Sequence, residues 1–322
     1  MRGDEGMLKI YNTDMKTGSF DILKKIKKGC WIDVVNPTPE DIEFLTHSFH
    51  MDASFIGYIL DDEEQPRIDY DDDEDIRMII VDVPVREKKK NGNSISTSPL
   101  AILIIKDLYV VTVSLQECEV LKDFKQGKVK EFFSYKKTRF TIQILYRTAT
   151  LYLRYLRILS KEIERSENKM LHATSNRDLV NLLGIEKSLV YITTSLKSNE
   201  MMLEKFLKGN FIVFYEEDDE LLEDAIIENK QCIEMANLYR EILRSTTDSY
   251  ATIISNNLNV SMKFLAGVTI VLSIPTIVSS FMGMNVPLGA FSELNEAFPL
   301  LVVLSLILSL LVAWILKKKN ML

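Results

Sequence analysis

The sequence predicts an α/β domain followed by a helical hairpin, a long stalk helix and two membrane-spanning helices. Three observations support this fold class: runs rich in β-branched residues within the first 115 positions, then apolar residues at intervals of three and four, then two uninterrupted apolar blocks after Lys263. Composition fits such a mixture, since 47% of the 322 residues are apolar and 26% are charged. We divide the chain into an α/β domain (1–138), a helical hairpin (139–218), a stalk helix (219–263), a first membrane helix (264–282), a loop (283–297), a second membrane helix (298–316) and a basic tail (317–322).

The first third of the chain alternates strand and helix signals. The segment "GCWIDVV" predicts a short strand, and "NPTPEDIEFLTHSF" predicts a helix from Pro39 to about His47 with Thr38 as its cap. The runs "RMIIVDVPV", "SPLAILIIK" and "LYVVTVSL" are separated by turn residues and predict three neighbouring antiparallel strands. Because these runs are almost continuously apolar, we expect helices to cover the sheet.

Two amphipathic helices are predicted after position 138. The short link "HATSNRD" between them favours an antiparallel hairpin, and the apolar stripes indicate core packing rather than a cofactor site. The first stripe consists of Leu145, Ala149, Tyr152, Leu156, Leu159 and Ile163, and the second of Leu182, Ile185, Leu189, Ile192, Leu196, Leu203 and Phe206.

The two apolar blocks, 264–282 and 298–316, are each 19 residues long and contain no charged residue. A helix needs about 20 residues to cross the hydrocarbon layer, so both blocks predict membrane helices rather than buried helices of a soluble protein. Lysines flank the blocks at Lys263 and within the tail 317–322, whereas the loop between them contains Glu293 and Glu296 and no Lys or Arg. This asymmetry predicts a multi-pass protein of the plasma membrane with both termini in the cytoplasm.

Several function classes are disfavoured by the residues present. The widely spaced Cys30, Cys118 and Cys232 predict buried thiols rather than a zinc site, and His47 and His50 predict a surface pair rather than metal ligands. A net charge of −7 gives no reason to expect nucleic acid as a partner. We find no nucleophile–base pair and no phosphate-binding glycine loop in the sequence, so we expect neither an enzyme nor a covalent cofactor.

A polar stripe runs along the long helix that is predicted from about Asp219 to Met282. Its members alternate spacings of four and three, which is the seam of a coiled coil, yet nearly all of them are polar. Several copies around an axis would turn this stripe towards water and form a pore; the alternative is that Ser and Thr join membrane helices or bond to their own backbone. The stripe consists of Glu241, Ser245, Asp248, Thr252, Ser255, Asn259, Met262, Ala266, Thr269, Ser273, Thr276 and Ser280.

The motif Gly283, Met284 and Asn285 follows the stripe at the end of the first membrane helix. Glycine is suited to ending a helix, and the turn would leave backbone carbonyls and the Asn285 amide at the mouth of the pore. Because Mg²⁺ loses its water reluctantly, a ring of neutral oxygen dipoles suits the hydrated ion. Glu293 and Glu296 in the loop would raise the local cation concentration.

This arrangement resembles the CorA family of divalent-cation transporters. The resemblance rests on the Gly-Met-Asn motif between two membrane helices, on the lysine-rich tail, and on "WIDVVNPTPEDIEFL", "DDEEQPRIDYDDDEDIRMIIVDVPV", "LYVVTVS" and "LVYITTSLKSNEMMLEKFL" in the first 207 residues. It implies a homopentameric, funnel-shaped channel whose first membrane helix lines the pore and whose Asn285 ring binds hydrated Mg²⁺. The resemblance also places the pore on Asn259, Met262, Leu265, Thr269, Ser273 and Thr276.

The resemblance further implies that Mg²⁺ is a regulatory ion as well as the transported one, bound between cytoplasmic domains of neighbouring subunits. Solvated surface charges are the alternative for each carboxylate. Met282 stands where the family has an aromatic residue, and the loop "VPLGAFSELNEAF" also departs from the family pattern. Transport of Zn²⁺, Co²⁺ or Ni²⁺ therefore stays open, as does a non-conducting cation sensor. The regulatory candidates are Asp61, Asp62, Glu63, Glu64, Asp219, Glu220, Glu223 and Asp224.

Overall fold

A computed structural model describes residues 7–15, 17–89, 92–170, 176–209, 215–284 and 297–321. Asn285, Glu293 and Glu296, three of the predicted functional residues, lie outside these ranges. The structure divides into two compact units after Ser245. The first unit has an α/β core, and the second contains the C-terminal part of one long helix and a second apolar helix.

A seven-stranded sheet forms the centre of the first unit. Its strand order is β2-β1-β3-β7-β6-β5-β4, with β3 and β7 parallel and the other neighbours antiparallel. The prediction of three neighbouring antiparallel strands is confirmed by β5, β6 and β7. The strands are β1 (Met7–Thr13), β2 (Phe20–Leu23), β3 (Trp31–Val35), β4 (Arg67–Asp71), β5 (Ile76–Lys89), β6 (Gly92–Ile105) and β7 (Tyr109–Ser114).

Seven helices are described. Thr38 caps the first of them as predicted: its Oγ1 accepts from Asp41 N at 3.2 Å, and Asp41 Oδ2 accepts from Thr38 N at 3.0 Å. The longest helix starts at Glu216, three residues before the predicted stalk, because the extra acidic residues suit the positive end of the helix dipole. The helices are α1 (Pro39–Phe49), α2 (Ala53–Leu60), α3 (Glu119–Lys125), α4 (Lys137–Met170), α5 (Asn176–Lys208), α6 (Glu216–Met282) and α7 (Ala297–Lys318).

Helices cover both faces of the sheet, as expected for strands that are apolar throughout. Alternation along β3 sends Trp31 to one face, where α3, α4 and α5 pack, and Ile32 to the other, where α1 and α2 pack. Every residue of the two predicted hairpin stripes is buried, and so are the three cysteines. His47 and His50 are exposed, as predicted.

Candidate functional site

The polar stripe of α6 is exposed in one chain at every member except Ser273. Met262 and Leu265 are 60% and 66% exposed, and Asn259, Thr269, Thr276 and Ser280 are exposed as well. Ser273 is half-buried. The described residues of one chain therefore leave this stripe almost entirely uncovered.

The opposite face of α6 is the covered one. Gly267 is buried, and Val271, Ile274 and Val278 are half-buried at spacings of three and four. At 3.6 residues per turn, Thr269 and Thr276 lie about 180° around the helix from Gly267. The helix thus separates a small, apolar packing face from a polar face that is open.

Among the described residues of the second unit, the buried serines are on α7 and not on the stripe. Ser305 and Ser309 are 9% and 8% exposed, and their hydroxyls donate to Val302 O at 2.9 Å and Ser305 O at 2.8 Å. They have the burial expected of small polar residues that join membrane helices. The exposed hydroxyls of α6 do not share that burial, so helix–helix packing within one chain does not explain the stripe.

Three hydroxyls of the stripe, all in the first apolar block, donate to their own helix backbone, which is the alternative that the sequence left open for them. Thr269 Oγ1 donates to Leu265 O at 2.8 Å, Ser273 Oγ to Thr269 O at 2.7 Å, and Thr276 Oγ1 to Leu272 O at 3.3 Å. A hydroxyl has one hydrogen to donate and two lone pairs to accept with. Once the hydrogen is used, the exposed oxygen can only accept. The stripe is therefore suited to cations and to the outward-pointing hydrogens of a cation's hydration shell.

Gly283 follows the last residue of α6, and its N–H donates to Ser279 O at 3.0 Å and Ser280 O at 3.2 Å. The helix ends where it was expected to end. Gly283 is not among the residues with positive φ, however, and an added Cβ would meet Ser279 O and Ser280 O at ordinary distances of 3.5 and 3.6 Å. Within one chain, therefore, the local backbone does not itself require glycine at this helix end.

The first group of predicted regulatory carboxylates lies in the turn between α2 and β4. Asp61 Oδ1 accepts from Glu63 N at 2.9 Å, and Glu64 lies 3.6 Å from Arg67 Nε. Asp61, Asp62 and Glu63 are exposed, whereas the Glu64 side chain is 13% exposed. Glu64 therefore belongs to a local ion pair, and the other three face solvent.

The second group is exposed on the first turns of α6: Asp219, Glu220, Glu223 and Asp224. Within the described residues, no three carboxylate, His or Cys side chains come together as a metal-binding group. One chain's described part thus does not assemble the predicted regulatory site.

Sequence reasoning missed the ion pair that fixes the start of α6. Asp218 is 3% exposed and lies 3.5 Å from Arg139 Nη1 on α4, while Arg139 Nη2 contacts Glu131 at 2.7 Å. Burial raises the pKa of Asp218, and Arg139 opposes that shift. The two residues are far apart in sequence, so no spacing rule could have joined them.

Two described helices are long and apolar enough to cross a membrane by length and composition, Glu217–Met282 and Phe298–Lys318. Their apolar side chains are largely exposed, with Phe264, Leu272, Leu310 and Trp314 between 56% and 69% exposed. A buried helix of a soluble protein would not present such surfaces to water.

The sequence and the fold of this chain are both similar to those of known proteins. Residues 27–318 match the family described as "CorA-like Mg2+ transporter protein". The chain is 27% identical over 299 residues to the cobalt/magnesium transport protein CorA of Methanocaldococcus jannaschii, which covers 90% of both sequences. The complete structure of the CorA magnesium transporter from the same organism has a TM-score of 0.81 at 24% identity, over 98% of this chain and 99% of that one. The ZntB cytoplasmic domain from Vibrio parahaemolyticus has a TM-score of 0.60 at 12% identity, over 77% of this chain and 98% of that one.

Proposed function

This chain belongs to the CorA family of divalent-cation transporters, which are not enzymes, and from that premise we propose that it is a channel for Mg²⁺ entry into the cytoplasm. The observation that carries the proposal is the stripe of α6, in which the hydroxyls of Thr269, Ser273 and Thr276 are left as acceptors by their bonds to the backbone. Mg²⁺ holds its water shell tightly, and the shell presents hydrogens outward. Oxygen acceptors along a pore can bind that shell without stripping it.

The pore requires several copies of the chain. A single helix cannot enclose a water-filled path, and the polar face of α6 is open while its opposite face is covered. Five copies, the number that the family resemblance implies, would bring the stripes together around an axis. In this assembly Asn259, Met262 and Leu265 form the narrow part, and Thr269, Ser273, Thr276 and Ser280 line the path above it.

The mouth of the channel is assigned to Gly283, Met284 and Asn285. Ring symmetry would present several Asn285 amides to an entering ion, and neutral oxygens hold a hydrated cation loosely enough for release. Glu293 and Glu296 would attract cations to this mouth through their charge. The orientation that follows from the flanking lysines puts the mouth outside the plasma membrane and both termini in the cytoplasm.

Intracellular Mg²⁺ is proposed to close the channel. The exposed carboxylates of the two acidic groups repel one another while no ion is bound and draw together around a divalent cation shared by two subunits. Their exposure within one chain supports this role, because a site shared between two subunits needs carboxylates that are still accessible to the partner subunit.

Zinc is the alternative cargo. Met282 and the unusual loop depart from the family pattern at the mouth, where selection of the ion would take place. The similarity to the ZntB cytoplasmic domain concerns the fold alone, so it leaves the choice of ion to experiment.

The proposed function is tested by flux into liposomes that contain the purified full-length chain and a trapped Mg²⁺-sensitive dye. Asn285→Ala is the paired variant, and Zn²⁺ and Co²⁺ are added in parallel as competitors. We expect Mg²⁺ entry that Asn285→Ala reduces. Entry of Zn²⁺ without Mg²⁺ would contradict the assigned cargo, and no cation entry at any internal Mg²⁺ concentration would contradict a channel and favour a sensor.

A further inference from the structure

A polar cleft of about 620 Å³ lies in the first unit, away from the carboxylates considered above. It is lined by the end of β5, the segment after β7, α3, and one face of α4. Its volume is in the range of small-molecule sites, which hold about 300–1,000 Å³. Nothing in the proposed conduction path uses this cleft.

The cleft is positively charged although the chain as a whole carries a net charge of −7. Five cationic side chains line it against three carboxylates. The cations are Arg86, Lys122, Lys128, Arg147 and Arg154, and the carboxylates are Glu117, Glu119 and Asp123. A local excess of two positive charges in an acidic protein marks a place where anions concentrate.

One of the three carboxylates is fully used. Arg154 Nη1 donates to Glu119 Oε1 at 2.6 Å, and Tyr155 Oη donates to Glu119 Oε2 at 2.8 Å. Both oxygens of Glu119 therefore have a close donor. With this pair set aside, four cations face two carboxylates among the residues that line the cleft.

The four other cations form only long ion pairs or none with the carboxylates that line the cleft. Lys122 lies 3.4 Å from Glu117, while Lys128 and Arg147 lie 3.6 and 3.8 Å from Asp123. Charge-assisted hydrogen bonds are shorter, at about 2.7–2.9 Å. Arg147 donates from Nη2 to Lys128 O at 3.3 Å. Arg86 forms no ion pair with the other described residues that line the cleft; its charge, with that of Arg165, opposes the rise in pKa that burial causes at Glu162, which is not part of the lining. The cleft thus holds more N–H donors than its own acceptors use.

A second cavity of about 580 Å³ at the start of α4 provides the contrast. Its three cations, Lys136, Lys137 and Arg139, face three carboxylates, and its close pairs include Lys137–Asp107 at 3.0 Å. That cavity is balanced in charge. The excess of donors is a property of the first cleft and does not follow from cavity size.

We propose that the cleft between α3 and α4 binds a polyphosphate anion, either free or as the phosphate chain of a nucleotide. Arginine forks match phosphate oxygens in pairs, and lysines add positive charge without a fixed geometry. Arg86 and Arg147 come from different elements, so a ligand with several phosphates can reach both. This site is independent of the proposed conduction path and would stand if the chain did not conduct.

The charge balance also predicts how Mg²⁺ acts on the cleft. Chelation by Mg²⁺ removes two negative charges from a polyphosphate, so the Mg²⁺-free form is the better ligand for a site that recognises charge. The cleft would then be filled when polyphosphate exceeds Mg²⁺ and emptied as Mg²⁺ rises.

The experiment is calorimetric titration of the detergent-solubilised full-length chain with inorganic tripolyphosphate at constant ionic strength and with EDTA present. The variants are Arg86→Gln alone and Arg86→Gln with Arg147→Gln, and Arg240→Gln on the exposed side of α6 is the matched control. We expect saturable binding that weakens about tenfold or more in the double variant, by less in Arg86→Gln, and not at all in Arg240→Gln. Equimolar Mg²⁺ should weaken binding to the wild-type chain.

A parallel titration with ATP distinguishes a site for free polyphosphate from a site for a nucleotide. Equal affinity for ATP and tripolyphosphate assigns the site to the phosphate chain alone, whereas tighter ATP binding with the same loss in the double variant assigns it to a nucleotide. The proposal is overturned if neither compound binds saturably at millimolar concentration. It is also overturned if Arg86→Gln, which removes no ion pair described in the structure, and the double variant both bind as the wild type does.

Discussion

At the scale of single residues, the buried Asp33 and the half-buried Asp82 show how the surroundings set the pKa of a carboxylate. Asp33 is 1% exposed but accepts from Thr112 Oγ1 at 2.9 Å and forms an ion pair with Lys125. Burial raises the pKa of Asp82 to about 6, with a hydrogen bond from Ser195 opposing the shift and no ion pair to balance it among the described residues. Burial raises the pKa of Asp33 as well, but Lys125 opposes that shift, whereas Asp82 has no such cation among the described residues.

Asp82→Asn is predicted to stabilise the protein at neutral pH. A raised pKa in the folded state means that the stability associated with protonated Asp82 is present below the unfolded pKa of 3.8 and is lost as pH rises through about 6. The amide removes this loss, so we expect a gain of up to about 3 kcal/mol at pH 7 and a flatter stability profile between pH 4 and 6. Denaturant unfolding from pH 4 to pH 7 measures both, and an unchanged slope between pH 4 and 6 would contradict the assignment.

Gly283→Ala is predicted to leave the folding of one chain intact and to reduce flux. The added Cβ meets Ser279 O and Ser280 O at 3.5 and 3.6 Å, and Gly283 does not have a left-handed backbone. We expect the free energy of unfolding to change by less than about 1 kcal/mol. A loss of flux at unchanged stability would show that glycine is required in the assembled channel mouth. Strong destabilisation would instead show that the backbone of the single chain requires it.

At the scale of elements, periodic patterns were sufficient to predict the buried residues of a helix that packs one face against the core. The stripes of α4 and α5 were predicted residue by residue, since a three-and-four spacing fixes which side chains face the core. The charged end of β5 was not predicted: the apolar run stops at Val85, but the strand continues to Lys89 because β6 pairs with it as far as Gly92. The parallel pairing of β3 with β7 was also not predicted, because no local signal specifies a partner so distant in sequence.

The candidate site likewise has features that the sequence predicted and features that it did not. The stripe of α6 follows from spacing, so its position and exposure could be predicted. Bonding of its hydroxyls to their own backbone was the alternative stated from the sequence, and the structure shows which residues form these bonds. The pair of Arg139 with Asp218, and the charge excess between α3 and α4, arise from tertiary packing and leave no motif in the sequence.

Ser273→Ala is predicted to lower Mg²⁺ flux by roughly tenfold, since it removes one acceptor from every subunit of the ring. Ser279→Ala is the matched control: Ser279 Oγ donates to Pro275 O at 2.8 Å, much as Ser273 Oγ donates to Thr269 O at 2.7 Å, but Ser279 lies outside the stripe. Initial rates of dye response in liposomes compare the two. Equal effects of both substitutions would mean that these hydroxyls act through their bonds to the helix backbone and not through contact with ions in the pore.

At the scale of the whole molecule, the family and the two apolar helices make this chain a membrane transporter of divalent cations. We further propose that copies of α6 turn the stripe towards a shared water-filled path. The three native cysteines are buried, so a cysteine introduced on α6 can be labelled against a low background.

The most direct test compares Thr276→Cys with its neighbour Ile277→Cys in membranes treated with a water-soluble, membrane-impermeant thiol reagent. Thr276 belongs to the stripe and Ile277 does not, although both are exposed in one chain. We predict that Thr276→Cys is labelled and that labelling stops Mg²⁺ flux, while Ile277→Cys faces lipid and is neither labelled nor blocked. Labelling of Ile277→Cys with Thr276→Cys protected would contradict a pore lined by this stripe.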